Sequence, residues 1–235
     1  MRLSAPIYQL KRRAKLLARD KKVPLHKAQD LIAREEGFGA WSALSARMAL
    51  SLPSLELLPR LAEGDMLLLG ARPGHGKTLM GLQFLLDAAR AGRRAVFFTL
   101  EFTEQEATQR VRSLDNRATS PMPEIVTSAD ISADLIVRHL AGSPRGTVAV
   151  IDYLQILDQQ RSKPPLSEQM HVLKDFARES GAILVFLSQI DRSFDPTCDS
   201  LPSLDDVRLP NSIPAGVFSK TCFLHAGQAQ FQSAR

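Results

Sequence analysis

Apolar positions change their period partway along this 235-residue chain. Over the first fifty residues they recur every three or four. Ile7, Leu10, Ala14 and Leu17 line one face of a helix whose other faces carry Lys and Arg. Pro24 opens a second helix with Leu25, Ala28, Leu31 and Ile32 as its stripe, and Gly37 can stop it in a left-handed cap. Phe38, Trp41 and Leu44 anchor a third short helix, in which Trp41 reads as the plug of a small core rather than a base-stacking surface. Pro53 and Pro59 mark residues 51–60 as a hinge. Beyond it, short continuous apolar runs alternate with helical patterns, the order expected of a parallel sheet. Strands are predicted at 66–69, 95–100, 148–154 and 182–188, and helices at 77–91, 103–112, 134–140 and 167–178. Residues 219–232 read as a strand, a turn at Ala226–Gly227 and a return strand. The predicted organisation is a helical module over 1–50, a linker over 51–60 and an α/β domain over 61–235 with a mainly parallel central sheet.

Charge separates the two parts further. Residues 1–50 hold 11 Lys and Arg against four acids, a net +7, while the whole chain is +5, which leaves −2 for the remainder. A basic head on a nearly neutral body suggests a polyanionic partner, nucleic acid being the usual one, with a solvated helix face as the plain alternative. Cys198 and Cys222 make no disulfide framework and match no zinc spacing, so both read as inert thiols in a reducing compartment. No apolar run reaches the roughly 18 residues a membrane span needs, and the N-terminus lacks the apolar core of a signal peptide. The expectation is a soluble, cytoplasmic protein without a membrane partner.

The densest chemistry lies in GARPGHGKT, residues 70–78. Gly70, Gly74, Gly76, Lys77 and Thr78 are read as a G-x-x-x-x-G-K-[ST] phosphate loop, between a predicted strand and a predicted helix as the motif requires. Glycines let backbone N–H groups turn onto a β-phosphate, and the helix N-terminus adds partial positive charge. The cradle comprises Gly70, Ala71, Arg72, Pro73, Gly74, His75, Gly76, Lys77 and Thr78, with no catalysis assigned to His75. Lys77 is expected to reach the β- and γ-phosphates of ATP, and the Thr78 hydroxyl to coordinate Mg²⁺. Asp152 closes the apolar strand VAVID, where a carboxylate can hold Mg²⁺ through water. Glu101, just past the strand AVFFTL, is placed to act as general base on the attacking water. Gln189, at the end of LVFLSQ, can sense the γ-phosphate and pass the signal onward.

Together GARPGHGKT, TLEF, IDYLQIL and LSQIDRS, in that order, resemble the C-terminal motor domain of the DnaB family of replicative helicases, with DDVRLPNSI (residues 205–213) similar to a further family segment. The resemblance covers roughly residues 60–225. It implies a RecA-like P-loop NTPase fold, Mg-ATP hydrolysis with Glu101 as base, and single-stranded DNA as the track. In such motors the loops after the Asp152 and Gln189 strands grip DNA, and here they offer Arg161, Lys163, Arg192 and Arg208. The sequence departs from the family where Pro214–Phe218 replaces an acidic, Gln-containing stretch, and where the head replaces a large collar. The segment that carries an arginine finger for a neighbouring subunit has no counterpart in AGQAQFQSAR. The resemblance thus implies a ring-forming homo-oligomer, or a partner that supplies the finger, with slow basal turnover and little unwinding by the protein alone. Two rivals stand beside this reading: a regulatory RecA/KaiC-like ATPase that does not unwind DNA, and an adaptor in which nucleotide only stabilises the fold.

Overall fold

The structure, a computed structural model, describes residues 3–5, 7–41, 43–44, 57–114, 121–158, 163–191, 202–207, 211, 213–225 and 228–233. Of the three helices predicted for the basic segment, the first two are α1 (Ile7–Asp20) and α2 (Leu25–Glu35), and the third lies largely outside the described residues. Gly37 takes a left-handed φ of 84°, and Phe38 N–H closes the cap on the Ala33 carbonyl at 2.9 Å. Leu10, Ala14, Ile32, Ala33 and Leu44 form a small core against which Phe38 and Trp41 pack. Trp41 is thus a plug, and its backbone N–H donates to Asp30 Oδ1 at 2.9 Å. Leu25 and Leu31 depart from the predicted stripe and are exposed, because the small side chains Ala28 and Ala33, with Ile32, make the close approach to α1. Arg13 ties the helices together through Glu35 at 2.7 Å, and Glu36 accepts hydrogen bonds from Ser4 N–H and Oγ.

Among the described residues the body is a seven-stranded sheet flanked by helices. Its strands are β1 (Met66–Ala71), β2 (Ala95–Thr99), β3 (Glu124–Val126), β4 (Val148–Asp152), β5 (Ile183–Gln189), β6 (Lys220–His225) and β7 (Gln228–Ser233). They are ordered β3-β2-β4-β5-β1-β6-β7, and every pairing is parallel except β6 with β7. Helices α3 (Lys77–Arg90), α4 (Glu104–Leu114), α5 (Ala133–Leu140) and α6 (Leu166–Ser180) supply the connections between successive strands from β1 to β5. β1, β2 and β4 are buried at every position, which is why they read as continuous apolar runs rather than alternating ones.

Alternate residues still face opposite layers. Leu67, Leu69, Phe97, Val150 and Leu187 pack with α3 and α4, while Leu68, Phe98, Ile151 and Phe186 pack with α5 and α6. Each such side chain, fully buried, contributes about 1.5–3 kcal/mol. Leu57, Leu58 and Leu61, at the entry to the body, join the α3 layer. α3 lies close on the sheet because Gly81 lets it: a Cβ there would stand 3.0 Å from Leu187 and 3.1 Å from Val150. α5 starts at Ser132, whose Oγ accepts from Leu135 N–H, and α6 ends at the left-handed Gly181.

Candidate functional site

The parallel register brings four strand ends side by side. Thr99 of β2 stands opposite Asp152 of β4, Asp152 opposite Leu187 of β5, and Ala71 of β1 opposite Gln189 of β5. Carboxyl ends of adjacent parallel strands form the crevice in which open α/β sheets take their ligands. All the catalytic candidates read from the sequence stand on this edge.

The loop from β1 to α3 carries the cradle. Gly74 and Gly76 have φ of +89° and +91°, backbone that an L side chain rarely adopts and that lets a short loop turn successive N–H groups inward. Gly76 is the residue from which α3 departs, so the helix's unpaired N–H groups and positive dipole end lie on the loop. His75 N–H bonds the Arg72 carbonyl at 3.1 Å and holds the turn shut.

Gly70 does not belong to the cradle. Counted back from Gly76, the first motif position falls on Ala71, the last residue of β1. Gly70 lies within β1 opposite Phe223 of β6, and a Cβ on it would stand 2.7 Å from two atoms of that ring. Its lack of a side chain serves sheet packing, not phosphate.

Lys77 and Asp152 meet inside the site. Lys77 Nζ lies 3.1 Å from Asp152 Oδ1, with the lysine nearly buried and the aspartate 0% exposed. Asp152 Oδ2 is also buried and has no hydrogen-bond partner among the described residues. A buried carboxylate oxygen left so is costly unless a cation or its water shell completes it. Mg²⁺ takes oxygen ligands and keeps much of its water, so Asp152 and the half-buried Thr78 hydroxyl are a donor set that fits it. The Lys77 ammonium also lies 5.7 Å from the Tyr153 ring, and the Asp152–Tyr153 peptide is cis.

Glu101 follows β2 in a turn set by Thr99, whose Oγ1 accepts Glu101 N–H at 3.1 Å. Its carboxyl reaches solvent. Yet burial of part of the group, and then the negative charge of Asp152, raise its pKa above the ordinary glutamate value, with Lys77 and Arg110 opposing. A carboxylate so poised is a better proton acceptor than a free one. Gln189 is half-buried at the end of β5, and the next residue's N–H bonds the Ala71 carbonyl at 3.1 Å. The strand end carrying Gln189 is therefore tied to the first residue of the phosphate loop.

Two contributors have no sequence signature. Thr99 is a buried strand residue like any other until its hydroxyl is seen to shape the Glu101 turn. Arg110, on α4, stacks 4.3 Å over Phe102 and places a positive charge where Glu101 senses it. Of the residues expected to face DNA, Lys163 is engaged otherwise: its ammonium donates to the Ile131 carbonyl at 2.7 Å and the Ile156 carbonyl at 3.4 Å. It ties the segment after β4 to the start of α5 and is not an open contact. Arg161, Arg192 and Arg208 lie outside the described residues.

Residues 56–120 match the ATPase family described as KaiC, and residues 124–216 match the DnaB-like helicase C terminal domain. The chain is 25% identical over 191 residues to the replicative DNA helicase DnaB of Mycoplasma pneumoniae, covering 64% of this chain and 40% of that protein. It is 28% identical over 193 residues to the DnaB of Leifsonia xyli subsp. xyli, covering 67% and 42%. The chain thus spans about two-fifths of the length of these relatives. Among solved structures, a DnaB-like replicative helicase studied with primase matches with a TM-score of 0.55 at 20% identity, covering 69% of this chain and 47% of that one. A KaiC-like protein from Pyrococcus horikoshii matches with a TM-score of 0.50 at 17% identity, covering 68% and 71%. Both likenesses are of fold.

Proposed function

Since residues 56–216 form a RecA-like P-loop ATPase domain of the DnaB-like and KaiC-like kind, we propose that it binds Mg-ATP and hydrolyses it as a DNA-dependent ATPase acting on single-stranded DNA. The observation that carries this reading is the buried Lys77–Asp152 pair, with its unsatisfied second oxygen, at the foot of a glycine-turned loop. In that arrangement the N–H groups of Gly74–Thr78 receive the β-phosphate and Lys77 turns from Asp152 to the β- and γ-phosphates. Mg²⁺, when bound, neutralises phosphate charge, with Thr78 and Asp152 as its holders. Glu101 accepts the proton of the attacking water, and Thr99 keeps its backbone in place. Gln189, the last residue of β5, senses the terminal phosphate and passes loss of it into the loop that follows. Within a ring of copies, or with a partner protein, a cation from a neighbour would complete the charge.

The test is ATP turnover by the purified chain with and without single-stranded DNA, followed by strand separation on a forked duplex. DNA-stimulated turnover supports the reading, and strand separation extends it to a helicase. Binding without turnover would sink it and leave an adaptor stabilised by nucleotide. The KaiC match over the phosphate-loop half favours one second reading, a regulatory ATPase, for which turnover indifferent to DNA is the expected result.

A further inference from the structure

The head reaches the phosphate loop. A Cβ on Gly74 would stand 3.6 Å from Lys11 Cδ and 4.0 Å from its Nζ, so the Lys11 side chain of α1 lies along the turn of the cradle. That position is not needed for the head's own core, which uses Leu10 and Ala14 of the same helix. Lys11 is half-buried, and among the described residues it has no carboxylate partner.

Its charged surroundings are of the wrong sign for a structural lysine. Burial first, then Arg110 of α4 and Lys15 of α1, draw its ammonium below the ordinary lysine value. Arg110 is the same residue that bears on Glu101. Cations from two separate elements therefore gather at the rim of a loop built to hold an anion. A partly dehydrated ammonium among like charges is unfavourable until an anion completes the set. The phosphate loop says which anion.

We propose that Lys11 is a phosphate ligand delivered in cis, a positioning cation from the N-terminal head that binds the terminal phosphate of the nucleotide held by Ala71–Thr78. The assignment rests on the nucleotide reading above. It gives the head a role that its charge alone does not specify. Contact with the terminal phosphate makes the head's docking depend on whether ATP or ADP is bound, because only ATP carries the γ-phosphate. It also supplies, from within one chain, positive charge of the kind that other phosphoryl-transfer sites receive from a finger residue in cis or in trans.

The experiment is calorimetric titration of the full chain with Mg-ATP and Mg-ADP, using wild type, Lys11→Gln, Lys11→Arg and Lys77→Ala. Lys11→Gln keeps the first part of the stem with a neutral polar end and loses the charge, and thermal melting checks that its fold is unchanged. The expected result is an ATP affinity lowered roughly 10-fold or more by Lys11→Gln, the scale of one charge-assisted contact. ADP affinity should stay within about 2-fold, and Lys11→Arg should recover most of the loss. If Lys77→Ala abolishes binding while Lys11→Gln leaves the ratio of ATP to ADP affinity unchanged, the Lys11 assignment is overturned and the nucleotide site stands. If Lys11→Gln weakens single-stranded DNA binding and not ATP binding, the cation belongs to a nucleic-acid surface and the assignment is again overturned. If wild type binds no Mg-ATP, the nucleotide reading fails and takes Lys11's role with it.

Discussion

Replacing Gly70 by alanine adds one methyl group next to the C-terminal end of β1, and the structure says where it goes. The new Cβ would stand 2.7 Å from Cδ1 and from Cε1 of Phe223, about an ångström inside ordinary carbon contact. Phe223 is 2% exposed in β6, beside β1, so its ring cannot swing into solvent. Either the ring leaves its rotamer or the β1–β6 pairing spreads, and overpacking of this kind costs about 1–3 kcal/mol. For a chain of this size that corresponds to a melting temperature lower by roughly 2–4 °C per kcal/mol. Gly70→Ala should therefore destabilise by that amount in urea titration. Phe223→Leu alone should cost on the order of 1 kcal/mol, and it should relieve the clash when combined with Gly70→Ala. The double variant should thus be more stable than the sum of the single effects by about 1 kcal/mol or more, a coupling outside the scatter of independent sites. Mg-ATP affinity of the folded Gly70→Ala protein should stay within a few-fold of wild type. Full stability with lost nucleotide binding would refute the packing account and return Gly70 to the cradle. Additive single effects would refute the contact with Phe223.

Glu101→Gln should keep ATP bound and slow hydrolysis roughly 10²–10⁴-fold, the usual worth of a positioned general base, in a steady-state phosphate-release assay. Because the Glu101 carboxyl is raised above its ordinary value and must be ionised to accept a proton, kcat/KM should fall on the acid side at a pH above the free-glutamate range. The Gln variant should lose that limb. The raised value also means that the folded state binds this proton more readily than the unfolded state does. Stability linked to Glu101 is therefore present at low pH and lost as pH rises through its folded pKa, and Glu101→Gln should melt higher at pH 8 than wild type, with the gain vanishing in acid. Cys222, its thiol pushed up to about 12 by burial, should resist maleimide in the native protein and react only in denaturant, as peptide mapping would read. Charge reversal at the exposed Arg12 and Arg19 should weaken single-stranded DNA binding and flatten its salt dependence, and an unchanged salt slope would show that the head faces water or a protein.

Much of the site could be read from the chain. The cradle's glycines, Lys77 and Thr78 are contiguous, and contiguous residues keep their mutual geometry whatever the rest does. Glu101, Asp152 and Gln189 were legible because each ends an apolar run, and in a parallel sheet such ends share an edge. The strand β3 escaped because Glu124–Val126 spans three residues behind Pro121 and Pro123, too few to show a period. The apolar pattern carries β4 two residues too far, since Leu154 is apolar for burial as the first residue of a 3-10 turn and not for strand pairing.

The sequence by itself determined which segments bury a face and which residues are candidates to handle a phosphate, because periodicity and motif are local properties of the chain. Only the tertiary structure decided what those residues meet. The order β3-β2-β4-β5-β1-β6-β7 sets Asp152 against Lys77, 75 positions apart, and leaves one carboxylate oxygen waiting for a ligand. The same assembly assigns Gly70 to Phe223, turns Lys163 inward onto carbonyls, and lays Lys11 of the head along the phosphate loop. Contacts between residues far apart in sequence follow from how layers close over a common core, and no local pattern encodes that.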